Sequence, residues 1–314
     1  MPAHFADRLN MAIKEKKTPV CVGIDPVYSR LPSAIRDMPG FGDGRDTESA
    51  LDAILEFCRT VIKTVAPIVP AVKINIAYFE RYYGEGVDAY MELVQEAAKL
   101  GLLVIGDCKR GDVGHTADLY ARAQLARPDF DNMSHSTAPD AVTLHSFLGL
   151  DGLKPFLDVC REEGKGVFAL IQTSNESAND VQGFTNAQGV TLSEHLAQLL
   201  DGWAGDDGLV GESGYSCLGA VVAPRNVETA KKLRMLMPKS LFLVPGYGAQ
   251  GMSAADIAHC FQSDGSGAIV NASRSVIYAF DQAEYKQQGE RNWTQAVETA
   301  CREFAQDIAQ AVGF

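Results

Sequence analysis

Residues 102–109 read Leu-Leu-Val-Ile-Gly-Asp-Cys-Lys, an apolar run that stops in two charges. Its first five residues suit a strand covered on both faces, as in a parallel sheet. Seven further runs share that character: TPVCVGID (18–25), APIVPAVKIN (66–75), DAVTLH (140–145), GVFALIQ (166–172), CLGAVVA (217–223), LFLVPG (241–246) and GAIVN (267–271). Helical patterns lie between them, among them ESALDAILEFCRTVIKTV (48–65), VDAYMELVQEAAKLG (87–101) and VTLSEHLAQLLDGWA (190–204). The second of these stops at Gly101, a common helix end. Eight β-then-α units predict a closed (β/α)8 barrel, a TIM barrel, rather than an open doubly wound sheet. The reading is α/β, one barrel over residues 1–314, with an N-terminal helix and loop insertions at 36–48, 127–139, 205–216 and 281–292.

At 314 residues and 46% hydrophobic, the chain can bury a full barrel core. Its formal charge of −12 argues against nucleic acid and anionic membranes, which reward basic surfaces. No apolar stretch is long enough for a membrane span or signal peptide, so a cytoplasmic protein is expected. Seven cysteines stand singly, without a C-x-x-C pair, and the six histidines form no metal motif. Reduced, largely packed thiols and no metal are expected.

In such barrels the active site forms at the C-terminal ends of the strands. There the third run places Asp107 and Lys109 on one side and Cys108 on the other, because strand side chains alternate. The second run ends near Lys73 and the first at Asp25, so four alternating charges converge on one mouth. Asp112 and Thr116 follow in the next loop and helix turn. Ion pairs closing the barrel top would explain one such couple. Several are harder to explain that way, since a buried ion pair is often no more stabilising than apolar residues of similar volume. Function is the simpler account.

The seventh run leads into VPGYGAQG (244–251), with Gly246, Gly248 and Gly251 around Gln250, and the eighth into VNASRSVIYA (270–279), with Arg274 between serines. The loops after the seventh and eighth strands form the recurrent phosphate site of these barrels. Glycine lets backbone N–H groups approach, and an arginine grips phosphate oxygens in a bidentate manner. The fifth run enters a polar loop, IQTSNESANDVQGF (171–184).

The run Asp107-Cys-Lys109-Arg-Gly-Asp112-Val-Gly-His-Thr116 resembles the D-x-K-x-x-D-[IV]-x-x-T signature of the orotidine 5′-phosphate decarboxylase family, in its longer bacterial form. The resemblance implies decarboxylation of orotidine 5′-phosphate to UMP and CO2 without metal or cofactor. It assigns Lys109 to stabilising and protonating the C6 carbanion, Asp107 and Asp112 to its negative surround, and Lys73 to balancing the cluster. It likewise implies ribose contacts from Asp25 and Lys73, a pyrimidine contact from Ser174, and a phosphate grip from Gln250 and Arg274 beside Gly248 and Gly251. Asn175 and Glu176 depart from the family pattern, which leaves Thr173 as an alternative to Ser174. In the family, the residues matching Asp112 and Thr116 reach into the partner's site, so a homodimer is implied. His115 reads as a loop or interface residue and Cys108 as packing. The rivals are an Mg2+-dependent sugar-phosphate decarboxylase or synthase of the same superfamily, and a non-catalytic barrel that binds nucleotide phosphate.

Overall fold

The computed structural model describes residues 3–38, 46–133, 137–247, 252–288 and 292–314. Eight strands, β1 (Val20–Ile24), β2 (Ala71–Asn75), β3 (Leu103–Arg110), β4 (Ala141–His145), β5 (Gly166–Gln172), β6 (Ser216–Val222), β7 (Ser240–Pro245) and β8 (Ala268–Ala272), close into a barrel in sequence order. Each runs parallel to its neighbours, and β8 pairs with β1 through Val20 and Val270. Helix α1 (Phe5–Lys16) precedes the barrel. Then α2 (Thr47–Val65), α3 (Tyr83–Lys99), α4 (Gly114–Gln124), α5 (Leu150–Glu163), α6 (Leu192–Ala204) and α7 (Val227–Leu236) connect successive strands from β1 to β7. A short helix, Ala254–Ile257, serves the β7–β8 connection, and α8 (Trp293–Val312) follows β8. All eight apolar runs of the sequence are strands.

Alternation along the strands divides the core in two. Val72, Ile74, Val142 and Val244 turn outward onto the helices, whereas Ala71, Leu103, Ala141, Leu241 and Ile269 fill the barrel. Both faces of each strand are therefore apolar near its start, which is why the runs show no simple period of two.

Helix α1 closes the N-terminal floor of the barrel. Phe5, Leu9 and Ile13 are buried against the interior cluster, each contributing on the order of 1.5–3 kcal/mol. Phe5 meets Phe168 edge-on, with ring centroids 5.9 Å apart at 84°. Residue 166 has to be glycine for this, since a Cβ there would lie 2.2 Å from Cδ1 of Phe5. The 205–216 insertion clasps α1 from outside. The Asp7 carboxylate accepts the N–H groups of Glu212 at 3.0 Å and Ser213 at 2.7 Å, and His4 Nε2 lies 2.9 Å from the Leu209 carbonyl oxygen. The insertions at 36–48, 127–139 and 281–292 lie partly outside the described residues. All seven cysteines are buried and free, and no described helix is long and apolar enough to cross a membrane.

Candidate active site

The barrel interior changes character toward the C-terminal ends of its strands. Above the apolar layers, β2 delivers Lys73, β3 Asp107 and Lys109, β4 Thr143 and β8 Asn271, with Asp25 just past β1. These residues line a cavity of about 290 Å³ together with Ser174, Pro245, Gly246, Tyr247, Ser273 and Arg274.

Asp107 is the hub. Its Oδ2 accepts from Lys73 Nζ at 2.6 Å, and its Oδ1 accepts from Thr143 Oγ1 at 2.8 Å and pairs closely with Lys109 Nζ. Lys73 also stands 3.9 Å from Asp25 Oδ1. The side chains of Lys73 and Asp107 are each only 7% exposed, whereas Lys109 remains 45% exposed at the cavity edge. One ammonium is thus structural in its surroundings and the other open to a ligand.

Burial works against ionising Asp107, but the charge of Lys73 first and of Lys109 second outweighs it and holds the carboxyl well below the usual carboxylate range. Burial likewise disfavours the Lys73 ammonium, and the opposing pull of Asp107 and then Asp25 carries it above the ordinary lysine value. The two groups hold each other in the charged state. Beneath them, burial pushes the Cys21 thiol up to about 12, leaving it a neutral donor to Asn271 Oδ1 at 3.4 Å.

Lys109 reaches the mouth by a route that simple alternation misses. Between β3 and β4 the register moves from Gly106 opposite Val142 to Arg110 opposite Leu144, so β3 carries extra residues in a bulge. Within it Lys109 adopts left-handed backbone, φ 44°, a conformation that costs a non-glycine residue roughly 1–2 kcal/mol. Thr143 secures the distortion: its hydroxyl oxygen accepts the Lys109 N–H at 3.1 Å while donating to Asp107. Cys108 turns outward into the core between barrel and helices, as alternation predicts.

The other sequence-derived residues fall into three groups. Asp25, Lys73, Ser174 and Arg274 line the same cavity as Asp107 and Lys109. Asp112 and Thr116, which the family resemblance assigns to the partner's site, are not among the residues that line it. Asp112 Oδ1 accepts the adjacent Val113 N–H at 2.8 Å, and Thr116 is exposed on the first turn of α4. Gly248, Gln250 and Gly251 lie outside the described residues. Sequence reasoning passed over Thr143, Asn271 and Ser273. Thr143 was marked by a polar side chain of inward parity in an apolar strand, a signal the run DAVTLH did carry.

Between Thr173 and Ser174 the hydrogen bonds differ. The Thr173 hydroxyl accepts from Gln182 and donates to Asn175, whereas Ser174 makes no side-chain hydrogen bond to another described residue. The geometry favours Ser174 as the hydroxyl available to a ligand.

Comparison with known proteins agrees with this geometry. A family model described as orotidine 5′-phosphate decarboxylase / HUMPS family matches residues 18–288. An orotidine 5′-phosphate decarboxylase of Rhodopirellula baltica is 36% identical over 297 residues, covering 94% of this chain and 96% of its own. One from Deinococcus radiodurans is 37% identical, covering 89% and 91%. Among solved structures, the OMP decarboxylase of Leishmania donovani superposes with a TM-score of 0.71 at 26% identity, covering 98% of each chain.

Proposed function

This chain belongs to the orotidine 5′-phosphate decarboxylase / HUMPS family, and from that premise we propose that its barrel mouth converts orotidine 5′-phosphate to UMP and CO2 with its own side chains alone. The observation that carries this reading is Asp107 held between the ammonium groups of Lys73 and Lys109.

Loss of CO2 from C6 of the pyrimidine breaks the C6–carboxylate bond and leaves its electron pair on carbon. No attached group absorbs that charge, so the protein must stabilise it electrostatically. The Lys109 ammonium does so at the open edge of the cluster and then transfers a proton to C6, regaining one from solvent. Asp107 aims this ammonium, and Lys73 keeps Asp107 from standing as an unpaired buried charge.

The rest of the cavity fits the remainder of the nucleotide. Asp25 Oδ1 is buried without a hydrogen-bond partner among the described residues, an acceptor suited to a ribose hydroxyl near Lys73. At the other side the Arg274 guanidinium makes no hydrogen bond to a described residue, and Ser273 Oγ is buried with no partner among the described residues. We assign Arg274 to the phosphate, joined by Gln250 and the backbone of Gly248 and Gly251 as the family resemblance implies, and Ser174 to the pyrimidine ring.

The direct test follows the ultraviolet change as orotidine 5′-phosphate becomes UMP, with and without EDTA. Turnover at one rate in both is expected. Absence of turnover would remove the activity, and loss in EDTA restored by Mg2+ would shift the reading to the metal-dependent branch of the family.

We further propose that the working form is a cytoplasmic homodimer of this single barrel, with Asp112 and Thr116 completing the partner's site. Their position outside their own cavity supports this, as do the exposed apolar residues beside them, Val113 (49%), Leu119 (52%) and Tyr120 (36%). Asp112 would then add its negative charge beside the partner's Lys109. Mixed Lys109→Ala and Asp112→Ala chains provide the check. Each is expected to be nearly inactive alone, while subunit exchange restores one good site per hybrid dimer, about a quarter of wild-type activity. No recovery in proven hybrids would place Asp112 in its own subunit's site, and an active Asp112→Ala chain would place it outside catalysis.

A further inference from the structure

Ser174 stands two residues beyond the end of β5, on a turn that no strand ladder holds. Two side chains fix the turn on either side of it. Gln182, at the end of the short helix Ala178–Gln182, accepts the Thr173 N–H on Oε1 at 2.9 Å and the Gln172 side-chain amide at 3.0 Å. Its Nε2 donates to Thr173 Oγ1 at 2.6 Å, and the Thr173 hydroxyl in turn donates to Asn175 Oδ1 at 2.6 Å. Arg225, in the loop after β6, donates from Nη2 to the carbonyl oxygens of Asn175 at 2.6 Å and Glu176 at 3.1 Å. Residue 173 is thus fixed by one side chain and residues 175 and 176 by the other, and the Ser174 hydroxyl between them makes no hydrogen bond to another described residue.

Neither side chain lines the cavity of Asp107 and Arg274, although Gln182 borders a neighbouring cavity of about 540 Å³ that Lys109 and Ser174 also line. Both also line a groove of about 870 Å³ bounded by α6 and α7. Their side-chain hydrogen bonds go to backbone and side-chain groups of the turn. A turn ordered only on binding would weaken binding by the freedom it then loses, whereas a turn ordered beforehand does not. We propose that Gln182 and Arg225 are positioning residues that preset Ser174 for the pyrimidine ring, an inference that rests on reading Ser174 as a substrate contact.

The experiment is a thermodynamic cycle on kcat/KM for orotidine 5′-phosphate, with Ser174→Ala, Gln182→Ala and the double variant. Gln182→Ala is expected to lower kcat/KM about tenfold, inside the ~10²-fold that an ångström of misplacement costs. Added to Ser174→Ala, it should cost little more, because a residue acting through Ser174 has nothing left to position. Arg225→Ala should behave alike, and Arg225→Lys should recover most of the rate, since an ammonium still donates to the carbonyls. Additive losses in the double variant would overturn the proposal while leaving Ser174 as a substrate contact. Wild-type kcat/KM in Ser174→Ala would overturn the reading of Ser174 and the proposal with it. Should Gln182→Ala fold poorly, Gln182→Glu keeps the acceptor for the Thr173 N–H; its loss must then also vanish in the Ser174→Ala background.

Discussion

With alanine at position 109, turnover of orotidine 5′-phosphate is expected to fall by about 10⁴-fold or more. General acid catalysis alone contributes ~10²–10⁴-fold, and a preorganised charge at the developing carbanion ~10²–10³-fold, and one ammonium is assigned both tasks. The fold should survive the change. Asp107 keeps Lys73 at 2.6 Å and Thr143 at 2.8 Å, so no buried charge is left alone, and the lost side chain was already half exposed. Binding of UMP, measured by calorimetry, should therefore stay within about tenfold of wild type, because the phosphate grip is a separate group of residues. A variant running near the wild-type rate would end the assignment of Lys109. Loss of UMP binding in step with turnover would mean that Lys109 serves binding rather than chemistry.

Asp107→Asn should damage both stability and rate. The amide keeps the shape and removes the charge, leaving the Lys73 ammonium buried with only Asp25 at 3.9 Å. Breaking a buried pair from one side costs about 3–5 kcal/mol, and Lys109 loses the group that aims it, for a rate loss on the order of 10²-fold or more. The pH dependence follows from the directions of the shifts. Asp107 has a folded value below its unfolded one, so its contribution is complete above the unfolded carboxylate value of roughly 4 and fades as pH falls through the folded one. Lys73 has a folded value above its unfolded one, so its contribution is complete below roughly 10.4 and fades as pH rises beyond. Urea unfolding of both proteins should therefore give a stability gap that is flat between about pH 5 and 9 and narrows in strong acid. A gap that widens as acid is added would show that Asp107 is not held in its charged form.

Much of this is written in the chain because the barrel repeats one physical solution eight times. Each Val/Ile/Leu run needs cover on both faces, and charges stand out where such a run ends, as Lys73 and Asp107 do. The floor was harder to read. Phe5 and Asp7 gain meaning only from Phe168 and from Glu212 and Ser213, more than 160 positions away, and nothing local signals those meetings. The charges that line the cavity were legible, and the hydroxyls of Thr143 and Ser273 were not. A threonine within a strand usually just packs, so Thr143 becomes visible only when Asp107 and the Lys109 N–H are seen on either side of it. Alternation placed Lys109 on the side of Asp107 while assuming a regular strand, and the bulge that delivers it is a property of the pairing with β4. For Asp112, no reading of one chain can decide whose cavity it enters.

The left-handed backbone at Lys109 carries a lesson for engineering. Selection for thermal tolerance alone would favour glycine at position 109, the residue most at ease at φ 44°, and on the mechanism proposed above would extinguish the enzyme in doing so. Natural proteins accept such standing conformational costs where activity requires them. A stabilised variant of this barrel should therefore draw its gains from the helical shell and the α1 floor, and the 106–110 segment should be exempt from any consensus or energy-based redesign.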